Sequence, residues 1–319
     1  MDILKTIAEY GVLPVLGLKH PETAPMTAAA LRRGGLPLLE VTMRAPQAMD
    51  CLRSIKYDCP EMLVGAGTIL SEEQACEAAE AGADFIVTPG FNRKIVSRCI
   101  ELGMPVVPGC VTPTEIEAGM ELGLSTFKFF PSEALGGMET ISQLCGPYKG
   151  IRFIPTSGIK LTNMESYLSS GCVAAVGGSF MAPAAMVEAC CWDGITALCR
   201  QAVERSLGFS LAHIGINGSS REEGLATARW FAERFGFPVR EGDRSNFAGT
   251  VVEACNEKFP GTFGHIAIGT LSVTRAAAYL RAKGIPLCDE TATLSPEGEI
   301  LALYLREEIG GFAVHIVKR

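Results

Sequence analysis

The chain has 319 residues, 48% of them hydrophobic and 20% charged, and its 28 basic against 35 acidic side chains give a net charge of −7. A length well above the ~150 residues of an ordinary domain predicts two domains, and the apolar fraction excludes a disordered chain. Mild acidity without any long basic run speaks against nucleic acid or an anionic membrane as a partner.

The opening stretch MDILKTIAEYG lacks a basic segment followed by an apolar one, and no run reaches the ~18 apolar residues of a membrane span. From residue 12 to residue 180 a unit of strand, loop and helix repeats. Its apolar runs are VLPVLGL (12–18), PLLEVTM (37–43), MLVGAGTIL (62–70), FIVTPG (85–90), PVVPGCV (105–111), TFKFFPS (126–132), RFIPTSGI (152–159) and VAAVGGSF (173–180). Helical-period stretches such as EEQACEAAEAG and TEIEAGMELG lie between them. Gly35, Gly82, Gly103, Gly123 and Gly171 stand where left-handed helix caps are expected. Eight such units predict an α/β fold, a (β/α)8 TIM barrel of parallel strands, closed by a helical tail over 183–206.

Residues 213–239 and 265–287 resemble one another: both run His-Ile-x-Ile, then an Ala-rich helix, then Gly-x-Pro-aliphatic. The expectation is a smaller α+β domain of duplicated βαβββ units over 207–319, after a first domain over 1–206. Twelve cysteines form no C-x-x-C pair, and Cys190-Cys191 is the one close couple. Scattered thiols such as Cys110 read as small buried hydrophobes in a reducing compartment, so the expected location is the cytoplasm.

Lys128 sits inside an apolar strand, where alternation sets Phe127 and Phe129 on one face and Lys128 and Phe130 on the other. On an exposed edge strand a lysine is ordinary; in a closed parallel sheet it points inward. Glu40, Thr42, Arg44, Thr68, Thr156, Ser157 and Ser179 also interrupt apolar runs at expected carboxyl ends of strands. Separate burial of a glutamate, an arginine and a lysine is unfavourable, whereas together with a ligand they make a site. A lysine amine can attack a ketone and form a Schiff base, whose protonated form is an electron sink for breaking the neighbouring C–C bond. A carboxylate such as Glu40 can shuttle protons, and Arg44 can pair with a substrate carboxylate. The plain alternative is a Lys128–Glu40 ion pair with no catalytic role.

Residues 1–205 resemble the bacterial 2-keto-3-deoxy-6-phosphogluconate (KDPG) / 4-hydroxy-2-oxoglutarate (KHG) aldolases, through LEVTMRAP, VGAGTIL, FIVTPG, VVPGCVTPTE, FKFFPSE and VGGSFMAP. The resemblance implies a class I aldolase that needs no metal and is a homotrimer. It assigns the imine to Lys128 and general acid/base work to Glu40. Arg44 and Thr68 would hold the pyruvate carboxylate and its surroundings, with Pro89 and Phe130 lining the pocket. The chain departs from the family at Thr156-Ser157-Gly158-Ile159, where the family has Thr-Gly-Gly-Ile, and at Leu16-Gly17-Leu18, where many members carry an arginine. Ser157 could add a donor, at little cost if its φ is negative, or its Cβ could push a phosphate away. Gly177-Gly178-Ser179 keeps its anion-binding pattern. The resemblance thus implies a 2-keto-3-deoxy acid as the expected substrate, with its phosphate left open.

The duplicated segment resembles the vicinal-oxygen-chelate superfamily of glyoxalases, bleomycin-resistance proteins and dioxygenases. That resemblance implies a divalent metal held by His213, Glu253, His265 and His315, with histidine in place of a more usual glutamate at the last position. The alternatives are a metal-free scaffold, a second enzyme active in its own right, or a ligand-binding or assembly module that regulates the first domain.

Overall fold

Each apolar run of the first half carries one short strand: β1 Val12–Leu16, β2 Leu38–Thr42, β3 Leu63–Gly67, β4 Phe85–Val87, β5 Val106–Val107, β6 Thr126–Phe129, β7 Arg152–Pro155 and β8 Val176–Gly178. The structure, a computed structural model, describes residues 2–296 and 298–319. The chain divides after Ser206 into two compact units.

The expected closed (β/α)8 TIM barrel is not what the ladders form. Strands pair in parallel as a curled six-stranded sheet, β5-β4-β3-β2-β1-β8, while β6 and β7 make a separate two-stranded sheet. Single bridges meet at the seams, Gly109 to Lys128, Phe153 to Val173 and Thr156 to Gly177. The physical reason is strand length and proline. β5 is two residues long, β4 and β8 are three, and Pro105, Pro108 and Pro155 have no N–H to extend a ladder.

Lys128 is nevertheless no edge lysine. Its backbone N–H donates to the Pro108 carbonyl at 2.8 Å, and its carbonyl accepts from Cys110 at 2.9 Å. Phe127 and Phe129 lie on the opposite face, with Phe153 within 6.2 and 5.9 Å by ring centroid. Burying three such rings stabilises the unit by ~1.5–3 kcal/mol each. Helix Pro113–Glu121 covers that face through Gly119, where a Cβ would come within 2.4 Å of the Phe127 ring. The same helix starts with a capping box, Thr112 and Glu115 each accepting the other's backbone N–H. Gly35, Gly82, Gly103 and Gly123 have positive φ, but Gly171 does not. The tail is also broken, into helices Ala184–Glu188 and Trp192–Leu207, with Cys190 between them at φ 54°.

The second unit departs from a duplicated βαβββ pattern. It is mostly β, one mixed sheet of β9 Ser210–Ile216, β10 Val239–Arg240, β11 Ser245–Ala248, β12 Val252–Cys255, β13 Gly264–Thr270, β14 Leu287–Leu294, β15 Ile300–Ile309 and β16 Phe312–Lys318. The spatial order is β10-β11-β12-β9-β13-β16-β15-β14. After helix Arg221–Phe235 come strands of two, four and four residues, whereas after helix Val273–Ala282 come strands of eight, ten and seven. Gly236, Gly242 and Gly249 cut the first set short, so the halves are not two clear copies. Ala228, Ala248 and Ala254 pack together on the helix side of the sheet.

Candidate functional sites

Glu40 and Lys128 meet inside the first unit. Lys128 Nζ lies 3.1 and 3.4 Å from the two Glu40 oxygens, with the residues 6% and 1% exposed. Gly67 makes room for the carboxylate, since a Cβ there would sit 2.1 Å from Glu40 Oε1. Thr68 follows at φ 59°, a left-handed conformation unusual for a branched side chain. Phe130 places its ring 5.8 Å from Lys128 Nζ. A small apolar hollow with Leu13, Phe85, Val87 and Ile154 surrounds the pair.

Thr156 lines both this hollow and a larger cleft of about 400 Å³ at the carboxyl ends of the strands. The cleft gathers Thr42, Arg44, Phe130, Thr156, Ser157, Gly158, Gly178 and Ser179. Pro89 and Thr68 line neither space; the Pro89 carbonyl packs against Gly109, where a Cβ would come within 2.1 Å. Ser157 has φ 80° and is followed by Gly158 at φ 82°. The condition of a negative φ at the serine is therefore not met. A left-handed non-glycine residue costs about 1–2 kcal/mol, which is why a glycine pair suits this loop. The loop is tied down from β6, Ser132 and Glu133 donating their N–H groups to the carbonyls of Thr156 and Ser157 at 2.8 and 3.3 Å. Tyr167, whose hydroxyl is pushed up to about 12 by burial and then by Glu133, bonds Glu133 from below.

Three cleft residues escaped the sequence reading. Lys19 Nζ and His20 Nε2 approach the two Glu188 oxygens at 3.4 and 3.3 Å. Basic groups thus appear one and two residues beyond Leu16-Gly17-Leu18, and polar residues directly after an apolar run were the available signal. Glu188, 169 positions from Lys19 in the chain, offered none.

In the second unit His213, Glu253, His265 and His315 come together on the face of the sheet opposite Ala248 and Ala254. Register explains it: Ala267 on β13 stands opposite both His213 and His315, and Gly215 on β9 stands opposite both His265 and Glu253. Small residues alternate with the functional ones, and a Cβ on Gly215 would lie 2.1 Å from the His265 ring. His265 Nε2 is 3.3 Å from His213 Nε2, and Glu253 Oε2 is 3.0 Å from His265 and 3.1 Å from His213. Ser245 donates to the other Glu253 oxygen at 2.5 Å. Burial alone would raise the Glu253 carboxyl, but the bonds from His213, His265 and Ser245 overcome it and hold the group well below the usual carboxylate range.

His315 is pushed down to about 3, first by burial and then by His265 and His213 beside it. Neither of its ring nitrogens, nor Nδ1 of His265, finds a hydrogen-bond partner among the described residues. Tyr304 stacks on the His315 ring with centroids 4.6 Å apart. Two donors each ~2.1 Å from one ion stand about 3.0–3.4 Å apart, the separations seen among His213, His265 and Glu253. Three imidazoles and a carboxylate gathered in this way are a donor set that suits a divalent transition metal.

Comparison with known proteins bears on the first unit. The family model "KDPG and KHG aldolase" matches residues 3–198. A 2-dehydro-3-deoxy-phosphogluconate aldolase of Treponema pallidum (strain Nichols) is 42% identical over 204 residues, 64% of this chain and 97% of the relative. A KHG/KDPG aldolase of Escherichia coli (strain K12) is 43% identical over 193 residues, 60% of this chain and 91% of the relative. Among solved structures, a KDPG aldolase from Legionella pneumophila, with pyruvate captured as a covalent carbinolamine intermediate, superimposes with a TM-score of 0.61 at 34% identity, covering 62% of this chain and 97% of that one.

Proposed function

The chain belongs to the KDPG and KHG aldolase family, and from that premise we propose that Lys128 and Glu40 carry out a class I, Schiff-base aldol cleavage in residues 1–206. The substrate is KDPG, giving pyruvate and glyceraldehyde 3-phosphate, and/or KHG, giving pyruvate and glyoxylate. The observation that carries this reading is the buried Lys128–Glu40 contact at 3.1 Å, beside a cleft open to a small acid.

The Lys128 amine adds to the C2 ketone, and loss of water leaves a protonated imine. Glu40, or a water it holds, takes the proton of the C4 hydroxyl. The C3–C4 bond breaks, its electron pair flows toward the imine nitrogen, and the aldehyde leaves. Glu40 returns the proton to C3 of the enamine, and hydrolysis frees pyruvate and the lysine. The imine does the work of a Lewis acid, so this chemistry needs no metal. Arg44 pairs with an anionic group of the substrate, and Ser157, Gly158, Gly178 and Ser179 form the distal end of the cleft. The covalent pyruvate of the Legionella relative supports the imine assignment.

A panel of KDPG, its unphosphorylated analogue and KHG, followed by pyruvate release, tests this reading. Cleavage of at least one, lost in Lys128→Arg, is the expected result; no cleavage of any would refute it. The reading includes a homotrimer in the cytoplasm, to be checked by sedimentation and fractionation. No helix among the described residues is long and apolar enough to cross a membrane.

A second reading concerns residues 207–319, as a vicinal-oxygen-chelate-like domain. The approach of His265 Nε2 to His213 and Glu253, with the unpartnered nitrogens of His315 beside them, favours a divalent metal held by these four residues. When bound, such an ion would polarise a substrate oxygen. Its role is then either a second, glyoxalase- or dioxygenase-like activity or a regulatory one. Metal analysis of the purified chain tests it: about one divalent ion per chain supports the site, and none after metal supplementation refutes it.

A further inference from the structure

We propose that Cys255 is a fifth, thiolate donor to the His213–Glu253–His265–His315 centre, which makes it a mixed nitrogen, oxygen and sulfur site. This rests on the reading of that centre as a metal site.

Cys255 lies two residues after Glu253 on β12, so the strand's period of two turns both side chains to the same face. Donor atoms of Glu253, Cys255 and His265 all lie within 4.8 Å of one another, as do those of His213, His265 and His315. Donors on opposite sides of one ion, with sulfur at ~2.3 Å and oxygen or nitrogen at ~2.1 Å, stand about 4.4 Å apart. The two sets share His265, which joins Cys255 to the histidines of the centre. Cys255 is fully buried, and His265, at 2% exposure, keeps Nδ1 without a partner among the described residues. The plain alternative is a small hydrophobe filling space beside the histidines.

The chemistry is a ligand exchange. A metal–sulfur bond forms, the S–H bond breaks, and one proton passes to solvent. A soft thiolate biases the site toward zinc, cobalt or ferrous iron over magnesium and manganese.

Cobalt(II) titration of the metal-free full chain, wild type and Cys255→Ser, tests the proposal. The expected wild-type spectrum carries a near-ultraviolet sulfur-to-cobalt charge-transfer band beside the visible ligand-field bands. Cys255→Ser should keep the visible bands, lose the charge-transfer band, bind on the order of tenfold more weakly and release one proton fewer. Visible bands without charge transfer in wild type would overturn the role of Cys255 and leave the metal reading intact. A charge-transfer band that survives in Cys255→Ser would assign the sulfur elsewhere and overturn it too. No cobalt binding in wild type would overturn the metal reading and this proposal together. Should the serine variant fold poorly, Cys255→Ala is titrated in its place and must lose the same charge-transfer band.

Discussion

Each unit buries one carboxylate among nitrogen groups, and the two differ in whether those groups are satisfied. Glu40 meets Lys128 with both its oxygens, so the pair is complete within the chain. Glu253 meets two histidines and a serine, yet three buried ring nitrogens around it have no partner among the described residues. An unpaired buried polar atom is destabilising by about 1–3 kcal/mol. The first site can wait for substrate as it stands. The second leaves three buried nitrogens without a partner among the described residues, which the first does not.

Four substitutions test this contrast. Lys128→Arg keeps the charge but removes the attacking amine, so kcat/KM should fall by roughly 10⁴-fold or more while metal content stays at the wild-type level. A mild loss would reduce Lys128 to an ion-pair partner. Glu40→Gln should still form the imine with pyruvate but turn over roughly 10²–10⁴-fold more slowly, as measured by single-turnover kinetics. An unchanged rate would move the proton shuttle to another group.

Glu253→Gln should weaken zinc binding by about 10²-fold, measured by competition with a chelating dye, and leave aldol cleavage within about twofold. A large loss of cleavage would couple the two units. Ser157→Gly is the smallest change. It should relieve the φ of 80° and raise unfolding stability by ~1 kcal/mol. KM for a phosphorylated substrate should change by less than about tenfold, the scale of one hydrogen bond. Wild-type preference for the unphosphorylated acid, reversed by Ser157→Gly, would instead make the serine a device that excludes phosphate.

Much of the first site was legible because its polar residues interrupt apolar runs. Glu40, Arg44, Lys128, Thr156 and Ser179 could be picked out by that contrast alone, and the family motifs tied them together. Closure into a barrel was not legible, since it depends on whether strands as short as Val106–Val107 carry continuous ladders between prolines. The left-handed backbone of Ser157 left no trace in a residue that tolerates most conformations. Glu188 reaches the cleft only through the fold. In the second unit, scarce and symmetrically spaced histidines pointed to His213, His265 and His315, whereas unequal strand lengths hid the single mostly-β sheet. Cys255 was readable by its two-residue spacing from Glu253, but an abundance of buried cysteines elsewhere masked it.

Borohydride trapping probes the covalent bonding of substrate to Lys128. The full chain is incubated with pyruvate, reduced, digested and examined by mass spectrometry. One pyruvate-derived mass is expected on the peptide bearing Lys128, present with or without chelator. An active enzyme that yields no adduct, or carries it on a different lysine, would contradict it.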